Sequence, residues 1–387
     1  MSWQDSTLGE LARLDGGLIQ TGPFGSQLHQ AEYETEGVPV VMPKDIADGR
    51  ISGASVARVS EQTANRLQRH KLKPQSIVLP RRGEVTKRAY IRDEQEGWLC
   101  GTGCLKIELD GRHLVPAYLY YFMEQEHVTK WLLQHAVGTT MLNLSAGIVS
   151  ALPIRYPTPD VQRAIADNLT TYDDLIENNR RRMALLEESA RLLYREWFVR
   201  LRFPGYEHTP VVDGVPKGWT QAPLESALVL QRGFDLPTQE RQEGGVPIYG
   251  STGILGYHDK AKAVAPGVVT GRSGTLGEVQ YVAEDYWPLN TALWVKEFKR
   301  VTPLFALHLL REMDLKQFNG GSSVPTLDRK SVHRVEILIP PAPILRSFDE
   351  FASTVFLQME SLRTQNQKLR AARDLLLPRL MSGELAV

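Results

Sequence analysis

The chain has 387 residues, which is long enough for two or more domains with separate cores. Hydrophobic residues make up 42% of the sequence and charged residues 23%, as in ordinary folded proteins, so extended disorder is not expected. No apolar run approaches the roughly 18 residues that a membrane helix needs, and the N-terminal segment lacks the layout of a signal peptide. We therefore expect a cytoplasmic protein with no membrane contact.

The predicted strands and helices indicate an α+β fold. Short apolar runs bounded by turn residues predict strands at Val38–Met42, Ser76–Leu79, Leu99–Glu108, Val268–Thr270 and Ala292–Val295. Helical spacing of apolar residues predicts helices at Ala117–Leu133 and Pro303–Met313. These elements fall into two segments of domain size, one before about residue 155 and one after about residue 205.

A long heptad-patterned segment follows the first of these α+β segments. In residues 160–198, apolar or small side chains recur every three or four positions, with Asn179 interrupting the pattern. Asp160 is the predicted N-cap, and Phe203-Pro204-Gly205 is the predicted stop. The pattern predicts one long helix.

The same pattern returns near the C-terminus, from Phe348 to Leu376, with Asn366 in the apolar seam. Two helices with matching apolar stripes favour a coiled-coil pair, each on the order of 55 Å long. Separate burial of the two helices in different domains is the alternative.

Comparison of the sequence with itself shows an internal duplication. Gly138–Leu144 aligns with Gly321–Leu327, and the same shift of 183 positions places Pro157 on Pro340. Upstream the offset drifts, since the stretch 37–40 resembles 245–248 and the stretch 76–83 resembles 267–274. A rigid repeated segment combined with a variable one is typical of a scaffold that carries two different binding surfaces.

The charge is balanced overall but unevenly distributed. Lys and Arg number 45, as do Asp and Glu, so the net charge does not indicate nucleic-acid binding. Between Arg66 and Arg92, however, nine basic residues face one acid, Glu84, which predicts a local positive patch. An ordinary solvated surface is the alternative. Cys100 and Cys104 lack the companion ligands of a zinc site and are expected to be structural core residues.

Motifs for catalysis and cofactors are not found in the sequence. It lacks an Asn/Asp-Pro-Pro-aromatic methyltransferase loop, a phosphate-binding loop, a nucleophile elbow and an H-E-x-x-H pattern. Gly101-Thr102-Gly103 lacks the third glycine of a dinucleotide fingerprint. We expect a chain that is not itself an enzyme. A stand-alone metal-dependent endonuclease and an interaction scaffold that does not bind DNA remain as alternatives.

Across nearly its whole length, the sequence resembles the specificity subunits of type I restriction–modification systems. The resemblance rests on several motifs in order: Gly22-Pro23-Phe24-Gly25-Ser26, the strand–turn pieces 77–83 and 268–277, Gly321–Leu327, and the closing helix through 376–385. It implies target recognition domains at residues 1–157 and 203–340, a central helical spacer at 158–202 and a C-terminal one at 341–387. These two similar domains would be separated by two antiparallel coiled-coil helices with pseudo-twofold symmetry.

The resemblance also implies a function and a set of partners. The chain would direct adenine methylation and restriction to a bipartite site on double-stranded DNA. Two modification subunits would bind S-adenosylmethionine, and restriction subunits would use ATP and magnesium, so no cofactor or metal is expected in this chain. The candidate DNA-binding residues are Ser26, Lys44, Arg81, Arg82, Lys87, Arg88, Thr140, Asn143, Tyr249, Arg272, Ser273, Thr275, Ser323 and Lys330.

Overall fold

The computed structural model describes residues 3–53, 56–321 and 323–387. The chain forms two compact units. The first comprises Met1–Glu177 and Gln365–Val387, and the second comprises Asn178–Thr364.

The first unit is a mixed α+β fold. Its first helix begins with a capping box, because Thr7 and Glu10 each accept the backbone N–H of the other with their side chains. In chain order its elements are β1 (Gln4–Thr7), α1 (Leu8–Leu14), β2 (Leu18–Thr21), β3 (Tyr33–Glu34), β4 (Val38–Val41), β5 (Ile46–Ala47), β6 (Arg50–Ile51), β7 (Ala57–Val59), α2 (Glu61–Arg66), β8 (Ile77–Pro80), β9 (Ala89–Tyr90), β10 (Leu99–Cys100), β11 (Cys104–Glu108), α3 (Pro116–Phe122), α4 (Glu126–His135), α5 (Ala146–Ser150), β12 (Pro153–Tyr156) and the first half of the long helix α6 (Pro159–Tyr194).

Two four-stranded sheets organise this unit. One has the order β2-β11-β8-β9 with antiparallel pairs throughout. The other has the order β10-β4-β7-β3, in which β10 and β4 are parallel. A further pair, β1 with β12, joins the two ends of the globular part. The largest core of the unit combines side chains of the first sheet with those of α3, α4, α6 and the C-terminal helix.

The second unit contains the elements that follow α6, together with part of each long helix. In chain order these elements are β13 (Val211–Val212), β14 (Val215–Pro216), β15 (Thr220–Pro223), β16 (Leu228–Arg232), β17 (Val246–Gly250), β18 (Gly253–His258), β19 (Gly267–Gly271), β20 (Val279–Val282), β21 (Trp287–Pro288), β22 (Ala292–Phe298), α7 (Pro303–Glu312), α8 (Arg329–His333), β23 (Glu336–Ile339) and the long helix α9 (Ala342–Ser382).

The second unit repeats the topology of the first. Its main sheet has the order β16-β22-β19-β20, strand for strand the counterpart of β2-β11-β8-β9. Parallel β17 and β21 correspond to β4 and β10, and antiparallel β15 and β23 correspond to β1 and β12. Even the helix caps repeat at the shift of 183, since Ser145 caps α5 and Asp328 caps α8. The predicted duplication and α+β class are confirmed.

The long helices pair antiparallel within each unit. In the first unit, Asp173 on α6 lies 2.5 Å from Arg373 on α9, and the Asn366 side chain donates to the carbonyl of Ile176 (3.2 Å). In the second unit, Ala190 and Val355 share an apolar cluster. Tyr194 and Phe348 share another apolar cluster, and their ring centroids are 5.9 Å apart. Partner numbers fall on α9 as they rise on α6, which defines the antiparallel direction.

The boundaries of several elements differ from the sequence predictions. The predicted strand Leu99–Glu108 is two strands, because the turn at 101–103 separates β10 from β11. The predicted helix Ala117–Leu133 is likewise two helices, α3 and α4. Helix α6 begins at Pro159, so Asp160 lies in its first turn and is not the N-cap. Proline suits the first turn because it has no N–H to leave unpaired.

The compact units also differ from the predicted four-segment division at residues 157, 202 and 340. The structure divides the chain inside α6 and α9, because both helices contribute buried side chains to a globular core. Tyr194 and Phe348, for example, belong to the core of the second unit. Cys100 and Cys104 are free and fully buried. Burial raises the pKa of the Cys100 thiol to about 12, so it stays protonated, as expected of a core residue.

Candidate nucleic-acid interface

In the first unit, the ends of two strands bring three loops together. Strands β2 and β8 both run antiparallel to β11, so both end at the same edge of the sheet. The loop after β2 carries Phe24, and the turn after β8 contains Arg81, whose guanidinium lies 5.5 Å from the centre of the Phe24 ring. This geometry fits a cation–π contact. We call residues 81–83 the first arginine turn.

A third loop, residues 138–143, is joined to that turn by backbone hydrogen bonds. Gly83 N–H donates to the carbonyl of Leu142 (3.0 Å), and Leu144 N–H donates to the carbonyl of Arg81 (2.8 Å). Arg82 and Asn143 form a β-bridge. We call residues 138–143 the first tip loop.

The second unit builds the same edge in the same register. Residues 272–274, the second arginine turn, follow β19, and residues 321–326 form the second tip loop, of which Ser322 lies outside the described residues. Gly274 N–H donates to the carbonyl of Pro325 (2.9 Å), and Leu327 N–H donates to the carbonyl of Arg272 (2.8 Å). These bonds are the counterparts of the first pair, at a shift of 183 for the tip loop.

Each tip loop begins with a glycine, which allows the loop to fold back on itself. A Cβ atom at Gly138, where φ is +120°, would lie 2.4 Å from the carbonyl oxygen of Met141. At Gly321 it would lie 2.1 Å from the carbonyl oxygen of Val324. Any other residue would force the loop open, which explains why both copies of the repeat begin with glycine.

The two edges differ in the side chains that surround the arginine turns. Arg272 donates to the carbonyl of Asn290 (3.1 Å), whereas its counterpart Arg81 lies over Phe24. The ring of Phe234, which follows β16, instead faces Lys262 Nζ at 5.9 Å. The same backbone scaffold thus presents two different surfaces.

Five of the nine basic residues in the segment 66–92 form ion pairs with acids of the first unit, and four of these acids lie outside the segment. Ion pairs join Arg66 to Glu32, Lys73 to Glu108, Lys87 to Glu84, Arg88 to Glu124 and Arg92 to Asp174. Within the described ranges, no acid pairs with Arg81 or Arg82. The predicted positive patch is therefore narrower than the sequence indicates, and the cations left unpaired by acids include the two at the loop edge.

The candidate residues from the sequence fall into three classes of exposure. Arg88 and Tyr249 are buried, Arg81, Lys87, Asn143, Arg272 and Ser273 are half-buried, and Ser26, Lys44, Arg82, Thr140, Thr275, Ser323 and Lys330 are exposed. Eight of the fourteen belong to the arginine turns, the tip loops or the loop after β2: Ser26, Arg81, Arg82, Thr140, Asn143, Arg272, Ser273 and Ser323. Thr275 directly follows the second arginine turn.

The burial of Arg88 and Tyr249 argues against the prediction that these two residues contact DNA. Arg88 donates to the carbonyl of Tyr120 (3.0 Å) and pairs with Glu124, so its charge is engaged inside the unit. Tyr249 packs against Tyr286 in an interior cluster, and burial raises the pKa of its hydroxyl. Both residues hold the fold together.

Sequence reasoning missed three exposed apolar residues at these edges: Phe24, Met141 and Val324. Phe24 belongs to the Gly-Pro-Phe-Gly-Ser motif, in which the sequence analysis names only Ser26 as a candidate. Met141 and Val324 occupy equal positions in the repeat, and this match in apolar character was the available signal.

Two other features, a metal-ligand cluster and a membrane-spanning helix, are absent from the part of the chain that the structure describes. No three His, Cys, Asp or Glu residues in the described ranges are grouped so that they could hold a metal ion. None of the helices described is long and apolar enough to span a membrane.

Comparison with known proteins assigns the fold. The solved S subunit of the type I restriction–modification system from M. genitalium superimposes with a TM-score of 0.59 at 17% identity. The match covers 98% of this chain and 96% of that one.

Sequence relatives extend the likeness over most of the chain. The specificity subunit of the type I restriction enzyme MjaIX from Methanocaldococcus jannaschii is 25% identical over 389 residues, covering 92% of this chain and 88% of the relative. That of HindI from Haemophilus influenzae is 19% identical over 387 residues, covering 76% and 83%. The model of the type I restriction–modification DNA specificity domain matches residues 1–188 and 216–369. Since this match covers most of both units, the chain belongs to the family of type I restriction–modification DNA specificity subunits.

Proposed function

We propose that this chain directs a type I restriction–modification complex to a bipartite site on double-stranded DNA, and that each unit reads one block of that site. The observation that carries the proposal is the repeated edge, on which an arginine turn and a tip loop meet in the same backbone register in both units. Equal scaffolds with unequal side chains suit the reading of two different short sequences.

Arginine and polar loop residues are suited to this reading. A guanidinium can donate two hydrogen bonds to O6 and N7 of guanine in the major groove, which discriminates by about 1–3 kcal/mol. It binds phosphate equally readily, and phosphate contacts position the protein without reading sequence. We assign Arg81, Arg82 and Arg272 to DNA contact, with Ser26, Thr140 and Asn143 as polar neighbours on the first edge. Lys44, Lys87, Ser273, Thr275, Ser323 and Lys330 stay in the candidate set.

The partners and cofactors follow from the same proposal. Two modification subunits would bind S-adenosylmethionine and methylate adenine, and restriction subunits would use ATP and magnesium. This chain would bind none of these cofactors and catalyse no step itself. It would act in the cytoplasm, where its DNA target lies.

The proposal is tested by mapping N6-methyladenine across the host genome with and without this gene. We expect a motif of two short blocks, separated by an unread spacer, that disappears on deletion and returns on complementation. Complementation with Arg272→Ala should restore weaker or altered methylation of the same motif. A methylation pattern that does not change on deletion, in a host whose modification subunit is active, would contradict the proposal.

Two further measurements separate the alternatives. Cleavage of DNA by the purified chain alone with Mg²⁺ would indicate a stand-alone endonuclease. Weak binding to duplex DNA that does not depend on salt would indicate a scaffold, because phosphate contacts release counterions and make affinity fall as salt rises.

A further inference from the structure

Each tip loop exposes one large apolar side chain at the same position. Met141 is 62% exposed and Val324 is 56% exposed, and the two residues are related by the shift of 183. A single exposed apolar residue needs no explanation. The exposed apolar residue recurs at one register position although its identity and the two residues after it differ between the loops. This repeated feature points to a shared task.

The loops hold these side chains outward. The closing glycines let the chain turn back on the carbonyl groups of Met141 and Val324 themselves. The residue that follows each of them is fixed by the hydrogen bond from the arginine turn. In the second loop, the Asn319 side chain also accepts the backbone N–H groups of Gly321 (3.0 Å) and Thr326 (2.9 Å). The apolar tip is thus held away from the core by backbone bonds.

The surroundings of each tip favour a nucleic-acid partner. Thr140 and Ser323, each directly before the apolar residue, are exposed and polar. In the first unit, backbone hydrogen bonds join the tip loop to the turn that carries Arg81 and Arg82. No acid among the described residues forms an ion pair with either arginine. A protein-docking site would be expected to have a broad apolar centre. Around the first tip, the few exposed apolar side chains (Phe24, Val137 and Met141) are instead interspersed with hydroxyl groups and with Arg81 and Arg82, which suits the apolar wedges that proteins insert between DNA bases.

We propose that Met141 and Val324 are apolar wedges, each of which enters a base step of the half-site that its own unit reads. This inference rests on the proposed function. Each half-site must present an adenine to a modification subunit, and an enzyme that acts on a base has to take it out of the duplex. A wedge that opens the stack lowers the cost of that step in both half-sites. The features that differ between the units, such as Phe24 and Lys262, then serve the different sequences.

The test uses the complete complex with its modification subunits and a duplex that contains the mapped site. 2-Aminopurine replaces the target adenine of one half-site at a time, and its fluorescence rises when the base leaves the stack. We expect Met141→Ser to reduce this rise severalfold in the half-site read by the first unit and to leave the other unchanged. Val324→Ser should do the reverse. Met141→Leu and Val324→Ile, which keep an apolar tip, should retain the signal.

The outcomes are distinguishable. Unchanged fluorescence in both half-sites with either serine variant would overturn the wedge. So would loss of modification-subunit binding in the absence of DNA, because the tips would then belong to a protein interface. If the unsubstituted complex fails to bind the split site at all, the proposed function itself is wrong.

Discussion

The side chain of Arg88 is enclosed by groups of the first unit. Its Nε donates to the carbonyl of Tyr120, its Nη2 lies 3.1 Å from Glu124, and the guanidinium lies 5.1 Å from the centre of the Tyr120 ring. One oxygen of Glu124 is buried without a hydrogen-bond partner among the described residues. Arg373 on α9 approaches Glu124 as well, at 3.5 Å. Arg88 is therefore linked, through Glu124, to Arg373 on α9.

We expect Arg88→Ala to lower the free energy of unfolding by about 2 kcal/mol, because it removes a buried charged hydrogen bond to Tyr120 and leaves the half-buried Glu124 carboxylate with one cation fewer. Lys87→Ala is the matched control: Lys87 is next in sequence, and its ion pair with Glu84 is exposed, so the expected loss is below about 1 kcal/mol. Urea titration of both variants measures the difference. Equal losses would show that the Arg88 network does not stabilise the first unit.

At the scale of elements, α7 packs between the two long helices of the second unit through a histidine. His308 is buried, and its ring stacks on Tyr194 of α6 (centroids 5.4 Å apart) and meets Phe348 of α9 edge-on (5.8 Å). Neither ring nitrogen has a hydrogen-bond partner among the described residues. Burial, aided by the charges of Arg311 and Arg191, lowers the pKa of His308 to about 3. The ring is neutral in the folded chain at neutral pH.

This lowered pKa predicts that acid destabilises the second unit. An unfolded histidine takes up its proton near pH 6.5, whereas folded His308 does so only near pH 3, so stability is lost as pH falls between these values. The slope approaches about 1.4 kcal/mol per pH unit.

His308→Phe keeps the aromatic packing, so urea titrations from pH 7 to about pH 5 should show a smaller acid loss than in the unsubstituted chain. Part of the slope will remain, because burial also lowers the pKa of His70 in the first unit, to about 4. His135→Phe, at an exposed position, is the control and should leave the slope unchanged. An identical slope for His308→Phe would show that His308 does not carry this dependence.

At the scale of the whole molecule, the duplication predicts that the two DNA blocks are read independently. Arg81→Ala and Arg272→Ala should each weaken binding of the complex to its site by about 1–3 kcal/mol if the arginines read bases. The double variant should lose the sum of the two within about 0.5 kcal/mol, as expected for separate sites. Binding is measured at one fixed salt concentration, because phosphate contacts depend on salt.

Base changes in the DNA, combined with the arginine variants, test which block each arginine reads. After Arg81→Ala, changing the base that Arg81 reads should cost little more, whereas a change in the other block should keep its full cost. If both arginines respond to changes in the same block, the assignment of one block to each unit is wrong.

Much of the architecture could be predicted from the sequence because its signals are local or repeated. Heptad spacing alone predicts helices where α6 and α9 lie, and the shift of 183 aligns tip loops whose backbone bonds match. Boundaries were less predictable where a short turn interrupts an apolar run, as at 101–103 between β10 and β11. Periodicity does not register a break of three residues.

Which charges remain available was decided only by the tertiary structure. Arg92 pairs with Asp174, and Arg88 pairs with Glu124, across separations in sequence that no local pattern reveals. The sequence by itself determined a duplicated α+β chain with two long helices and the family to which it belongs. The fold decided that Arg88 and Tyr249 are interior and that Arg82, Met141 and Val324 face outward. The physical reason is that burial and ion pairing depend on contacts between segments that are distant in sequence, whereas helical periodicity and internal repeats are patterns of the sequence itself.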